Sequence, residues 1–128
     1  MVKAGHQVVW YGIVKDDRDE IRNGIDSALK SGADAVILNG GTGIGKRDVT
    51  VEVAREYIGK ELPGFGELFR YLSYKEVGGA AMLSRALAGV DDKGRLFVCL
   101  PGSVNAVKLG MDKLILPELA HILWDARR

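Results

Sequence analysis

Ala33-Asp34-Ala35-Val36-Ile37-Leu38 runs directly into Asn39-Gly40-Gly41-Thr42-Gly43-Ile44-Gly45-Lys46-Arg47-Asp48, and the reading of this stretch decides the fold. The first six residues form a short apolar run bounded by glycines, the mark of a strand buried on both faces. The ten that follow hold four glycines and lead to Asp48 or Thr50, either of which can cap a helix carrying Val53, Ala54, Tyr57 and Ile58. Upstream, Asp16, Asp17 and Asp19 precede Ile21, Ile25, Ala28 and Leu29 at helical spacing, so an acidic helix start is predicted, ended by Gly32. Gln7 to Val14 is β-branched and aromatic and reads as a strand. Downstream, Phe65, Leu68, Phe69 and Leu72 make a second helical stripe, and Gly78 to Ala88 reads as a third helix. Asp91 to Gly94 is a polar turn and Arg95 to Leu100 another buried strand. Pro101-Gly102-Ser103 then turns the chain into a final helix ending near Arg127. Strands alternating with helices in this way predict an α/β fold, a mostly parallel sheet with helices on both faces.

A chain of 128 residues is one domain, residues 1–128, long enough for a real core. Its net charge of +1 supplies no cationic field of the kind that draws a protein to nucleic acid. The apolar runs fall far short of the roughly 20 residues needed to span a bilayer, so no membrane partner is expected. No basic-then-apolar leader opens the sequence, and the single cysteine, Cys99, lies inside an apolar run. A cytoplasmic setting is the expectation, with Cys99 a core residue. His6 and His121 sit at opposite ends and belong to no group with metal-site spacing, so no protein-held transition metal is expected.

In α/β sheets ligands gather beyond the carboxyl ends of the strands. Three loops answer that description: Lys15 to Asp19, Asn39 to Asp48, and Pro101 to Asn105. In the glycine turn, positive φ is open to the backbone and no Cβ obstructs a ligand, while successive N–H groups can form a concavity for anions. A phosphate site is one reading and a tight, ligand-free connection the other. The dinucleotide fingerprint fails, because after Gly41 and Gly43 its third glycine position is Lys46. The nucleoside-triphosphatase loop comes nearer, with Gly40, Gly45 and Lys46 in place, but Arg47 stands where a Mg²⁺-binding hydroxyl is required. Arg47 can pair with phosphate through its planar fork. Asp48 can hold Mg²⁺ against substrate phosphates, or simply cap a helix while Arg47 is solvated.

With those residues in view, the chain resembles the MoaB/MogA family of molybdopterin-binding domains. Gly40-Gly41-Thr42-Gly43 with Arg47-Asp48-Val49-Thr50 is similar to the family's GGTG…RDVT signature, and Pro63 to Arg85 resembles the MoaB branch. Pro101-Gly102-Ser103 followed by Asn105-Ala106-Val107 is similar to the PG[SN]PxAV turn, with Val104 in place of its proline. Asp16 matches an acidic position after the second strand, where Lys15 replaces a usual proline. The resemblance implies molybdenum or tungsten cofactor biosynthesis by a molybdopterin adenylyltransferase, a nucleotidyltransferase that uses Mg-ATP with molybdopterin as its substrate. On that reading Gly40, Gly41, Thr42, Gly43, Arg47, Pro101, Gly102 and Ser103 bind substrate phosphates. Asp48 and Asp16 act at the reacting groups, with Asp48 holding Mg²⁺ through those phosphates. Glu67 and Ser73 are further pterin-site candidates, and a homotrimer or hexamer is implied. Two alternatives stay open: a molybdopterin-binding module without turnover, and an unrelated hydrolase built on the near-miss phosphate loop. Family chains also begin with an additional strand and helix, and this sequence starts at what looks like the second strand, near Ala4-Gly5-His6. A strand missing from the middle of the sheet leaves backbone donors and acceptors unpaired.

Overall fold

The computed structural model describes residues 5–128; of the expected start near Ala4-Gly5-His6, Ala4 lies outside them. Helix α1 (Arg18–Lys30) begins where Asp17, in extended conformation, accepts hydrogen bonds from the amides of Asp19 and Glu20. That cap satisfies two of the donors every helix start leaves free, and Asp19 and Glu20 in the first turn complement the dipole. Gly32, at a φ of 87°, turns the chain into strand β1 (Ala35–Asn39), which opens after Asp34 rather than at Ala33. Helix α2 (Thr50–Arg55), the two-residue strand β2 (Lys60–Glu61) and helix α3 (Pro63–Val77) follow. A 3₁₀ segment (Gly78–Leu83) leads into strands β3 (Leu87–Val90) and β4 (Leu96–Leu100). Helix α4 (Val104–Gly110), a π-helical turn (Met111–Ile115) and helix α5 (Leu116–Arg127) close the fold.

The strand order is β1-β4-β3-β2, with β1 parallel to β4 and the other two pairs antiparallel. The α/β class holds, but among the described residues the sheet is mixed rather than mostly parallel. The expected helix at Gly78 to Ala88 is the source of the difference. Only its first half is helical, and Leu87-Ala88-Gly89-Val90 is a fully buried strand. Small residues suit it because β2 lies so close: a Cβ on Gly89 would come within 2.8 Å of the Lys60 carbonyl oxygen. The turn at Asp91–Gly94 then reverses the chain. Asp91 accepts from the amides of Lys93 and Arg95 and from the Arg95 guanidinium, and Gly94 takes a φ of 71°. So short a reversal can only join antiparallel strands.

Helices cover both faces, as the period-2 alternation of β4 shows. Leu96, Val98 and Leu100 face a core with Phe65, Phe69, Met111, Ile115 and Leu119 from α3 and the α4–α5 rod. Phe97 faces Ile21, Ile25, Ala28 and Val53 from α1 and α2, and Cys99 faces Val51 and Ala54. Burial pushes the Cys99 thiol up to about 12. Since the thiolate is the reactive species, a maleimide at pH 8 is expected to leave the native chain unlabelled by mass and to label it fully in denaturant. Labelling of the folded chain at the denatured rate would mean that this face opens readily.

Gln7 to Val14 is not a strand among the described residues, a correction to the reading from β-branched content. Strand propensity expresses itself only against a neighbouring ladder, and among the described residues β1 pairs only with β4. Val8, Tyr11 and Ile13 are exposed, Ile13 at 89%. The Trp10 ring instead lies over Gly12 and near Gly24, where a Cβ on either would meet it. No helix among the described residues is long and apolar enough to cross a membrane.

Candidate functional site

Because β1 and β4 are parallel neighbours in register, Asn39 opposite Leu100, their following turns leave the sheet side by side. The Gly40 amide donates to the Leu100 carbonyl at 2.8 Å, and a Cβ on Gly102 would stand 3.4 Å from the Gly40 Cα. The glycine turn and the Pro101-Gly102-Ser103 turn therefore touch at residues without side chains. Gly40 and Gly41 take φ values of 94° and 71°, which only glycine adopts freely. At Gly41 the space a Cβ would need is filled by the Thr50 side chain, and the Thr50 amide donates to the Gly41 carbonyl. Thr42 and Thr50 are the buried polar residues of the described chain, and both sit at this turn. Ser103 caps α4, accepting from the Ala106 amide at 3.2 Å.

Asp48 does not cap α2, and neither does Thr50; Val49 holds the cap position without a side-chain bond. The Asp48 carboxylate instead reaches back across the turn, accepting from the Gly45 amide at 2.8 Å. A Cβ on Gly43 would stand 2.8 Å from the same Oδ2. Gly43, Gly45 and Asp48 are thus brought together around one carboxylate. Beside them an open cleft of about 310 Å³ is lined by Arg18, Ile44, Gly45, Lys46, Asp48 and Arg85 among others. Arg18, the first residue of α1, brings the Lys15 to Asp19 loop to this cleft, whereas Gly40 to Gly43 and Pro101 to Ser103 are not in its lining.

Asp16 and Arg47 are exposed and do not line the cleft. Glu67 and Ser73 lie on α3, which packs on the opposite face of the sheet from α1 and α2. A separate, mainly apolar depression of about 300 Å³ lies on that face between α3 and α5, lined by Leu62, Phe65, Leu68, Ile115 and Ile122. Among the described residues no three His, Cys, Asp or Glu side chains converge as a metal cluster.

Three residues at the cleft went unread in the sequence: Arg18, Glu52 and Arg85. Arg85 and Glu52 form an ion pair through two guanidinium nitrogens and both carboxylate oxygens. That contact holds the Glu52 carboxyl below the ordinary carboxylate range, so the pair persists at neutral pH and is lost as pH falls through the lowered value. A signal for Arg85 was available. It is the one charge in the stretch Gly78 to Val90, and a cation in such surroundings needs partners.

The profile of a family described as "Probable molybdopterin binding domain" matches residues 1–121. Molybdenum cofactor biosynthesis protein B of Bacillus subtilis is 52% identical over 128 residues, spanning 98% of this chain and 75% of that protein. The crystal structure of the tungsten cofactor synthesizing protein MoaB from Pyrococcus furiosus superposes with a TM-score of 0.88 at 49% identity, covering 94% of this chain and 76% of that one. A crystal structure of a molybdenum cofactor biosynthesis protein B gives a TM-score of 0.90, also at 49% identity, over 98% and 78% of the two chains. A profile match over nearly the whole sequence and identity near one half leave one conclusion: the chain belongs to the MoaB/MogA family of molybdopterin-binding domains.

Proposed function

We propose that the chain works in molybdenum or tungsten cofactor biosynthesis, binding molybdopterin and transferring to it the adenylyl group of Mg-ATP. The observation that carries this reading is the contact of two glycine-lined turns at Gly40 and Gly102, with the Asp48 carboxylate held inside the first. Glycine turns that let oxygens approach backbone amides suit the phosphates of both substrates. In the transfer, an oxygen of the molybdopterin phosphate attacks the α-phosphorus of ATP. A new P–O–P linkage forms, the bond to the β-phosphate breaks, and pyrophosphate leaves with its electron pair.

The residues present fit a Mg²⁺ ion that arrives with the nucleotide. Such an ion keeps water and phosphate ligands and asks the protein for one or two carboxylates, and Asp48 offers one oxygen beyond that bound by the Gly45 amide. When bound, the ion neutralises charge on the transferring phosphates. The chain's own contribution is positioning and electrostatic: amides of the glycine turn orient phosphate oxygens, while Lys46 and Arg18 supply positive charge at the rim. No covalent enzyme intermediate is needed, and the buried Cys99 thiol is unsuited to one. A homotrimer or hexamer is part of the same proposal, as are a role for Asp16 at the reacting groups and contributions of Glu67 and Ser73 to pterin binding.

Incubation with molybdopterin and Mg-ATP, followed by mass analysis, is expected to yield adenylylated molybdopterin and pyrophosphate in equal amounts. Tight pterin binding without that product would instead identify a binding module. ATP hydrolysis that proceeds equally well without pterin would identify a hydrolase.

A further inference from the structure

Arg85 lies between the 3₁₀ segment and β3, and almost everything it bonds to belongs to the glycine turn or the helix after it. Its amide donates to the Thr42 carbonyl at 2.8 Å. Its Nε donates to the Gly43 carbonyl and its Nη2 to the Asp48 carbonyl, each at 2.9 Å. Glu52, on the first turn of α2, grips the same guanidinium. One side chain therefore ties both ends of the turn to the start of a buried strand.

The orientation of those carbonyls has a chemical consequence. In a planar trans peptide the C=O and the following N–H point in opposite directions. Carbonyls of Thr42, Gly43 and Asp48 drawn toward Arg85 oblige the amides of Gly43, Ile44 and Val49 to point away from it. Among the described residues none of these three amides donates a hydrogen bond. The carbonyl oxygens, which would repel a phosphate, are occupied by Arg85, those of Gly43 and Asp48 by its guanidinium and that of Thr42 by its amide, and the donors are left for a ligand.

We propose that Arg85 is the positioning residue of the phosphate-binding turn: clamped by Glu52, it holds the carbonyls of residues 42, 43 and 48 on one side so that the amides of residues 43, 44 and 49 present an anion-binding surface on the other. The inference rests on the phosphate-binding reading above. It assigns no contact between Arg85 and the reacting atoms. Arginine is required because four of its five N–H donors are used in one plane; a lysine could satisfy one or two of these acceptors.

The test uses the amides of Gly45, Asp48 and Thr50, whose bonds to Asp48 Oδ2, the Gly45 carbonyl and the Gly41 carbonyl exist only while the turn is formed. In the ligand-free protein, hydrogen exchange at these three is expected to accelerate about tenfold or more in Arg85→Gln, and less in Arg85→Lys. The amides of Val98 and Leu100 in β4 should keep their rates, a contrast that general destabilisation would not produce. Glu52→Gln, which keeps the arginine and the shape of its partner, should loosen the same three amides by a smaller factor, and it carries the test if Arg85→Gln does not fold. Affinity for molybdopterin should fall about tenfold in Arg85→Gln and recover in part in Arg85→Lys. Unchanged exchange at the three amides in a folded Arg85→Gln or Glu52→Gln protein overturns the clamp. Failure of the native protein to bind molybdopterin overturns the functional reading alone, and the exchange measurements still judge Arg85.

Discussion

Asp48→Asn is expected to lower the rate of adenylylated molybdopterin formation by about 10²–10³-fold, the usual cost of removing one charge-stabilising group from a reaction centre. The substitution separates two roles that one carboxylate combines. Asparagine keeps an oxygen able to accept from the Gly45 amide, so the turn stays closed across the 2.8 Å bond seen in the structure. It loses the negative charge that would help hold Mg²⁺ against the substrate phosphates. Molybdopterin affinity should therefore stay within about threefold while turnover collapses. Asp48→Ala removes both roles and should also free the Gly45 amide to exchange. A single-turnover assay with mass detection reads the rate, and equilibrium binding reads the affinity. Native turnover in Asp48→Asn would remove Asp48 from the chemistry and leave it a loop-closing residue.

The largest effect on stability is expected from Phe97→Ala. Phe97 has no exposed surface, sits at the centre of the sheet face covered by α1 and α2, and packs against Tyr57 with the rings tilted by 30° and their centroids 5.7 Å apart. Truncating a fully buried phenylalanine costs about 3–5 kcal/mol, transfer and cavity terms together. Whole domains commonly hold only about 5–15 kcal/mol in reserve. Thermal unfolding should fall by roughly 10–20 °C for a domain of this size. A second readout is local. Burial, aided by the Asp26 carboxylate at 2.8 Å, pushes the Tyr57 phenol up to about 12. With the cavity open to water, its ultraviolet titration should move down toward the ordinary value. A melting point within about 2 °C of the native one would show that α1 and α2 contribute little to this core.

What could be read in advance follows a physical line. Features set by neighbours in sequence were legible: the Asp17 cap with its acidic first turn, the Ser103 turn into α4, the unbroken apolar run of β4, and the glycine turn beside them. Features set by distant partners were not. Leu87 to Val90 has the composition of a helix end and becomes a strand only because β2 and β4 flank it. Carrying the expected helix through Ala88 conceals the antiparallel β3–β4 reversal and makes the sheet look mostly parallel. Gln7 to Val14 has strand composition but no strand beside it among the described residues. The Arg85–Glu52 pair joins positions 33 residues apart, a link that no local pattern encodes.

The π-helical turn at Met111–Ile115 decides which side of the final helix meets the sheet. A turn of that kind holds one residue more than the α-helix it interrupts, and each residue of an α-helix advances its side chains by about 100° around the axis. The wider turn takes up that residue without passing its rotation on, so deleting one of these five would restore regular pitch and leave everything beyond it facing as before. Drawing all five into regular pitch would instead rotate it by that angle. In the second case Leu119 and the partly buried Ile122, which now seat α5 against the sheet, would swing to its flank, and exposed neighbours such as Glu118 and His121 would be carried toward the core. Loops elsewhere can gain or lose a residue at modest cost; in this rod the wide turn takes up one residue and keeps the apolar side of the final helix on the sheet.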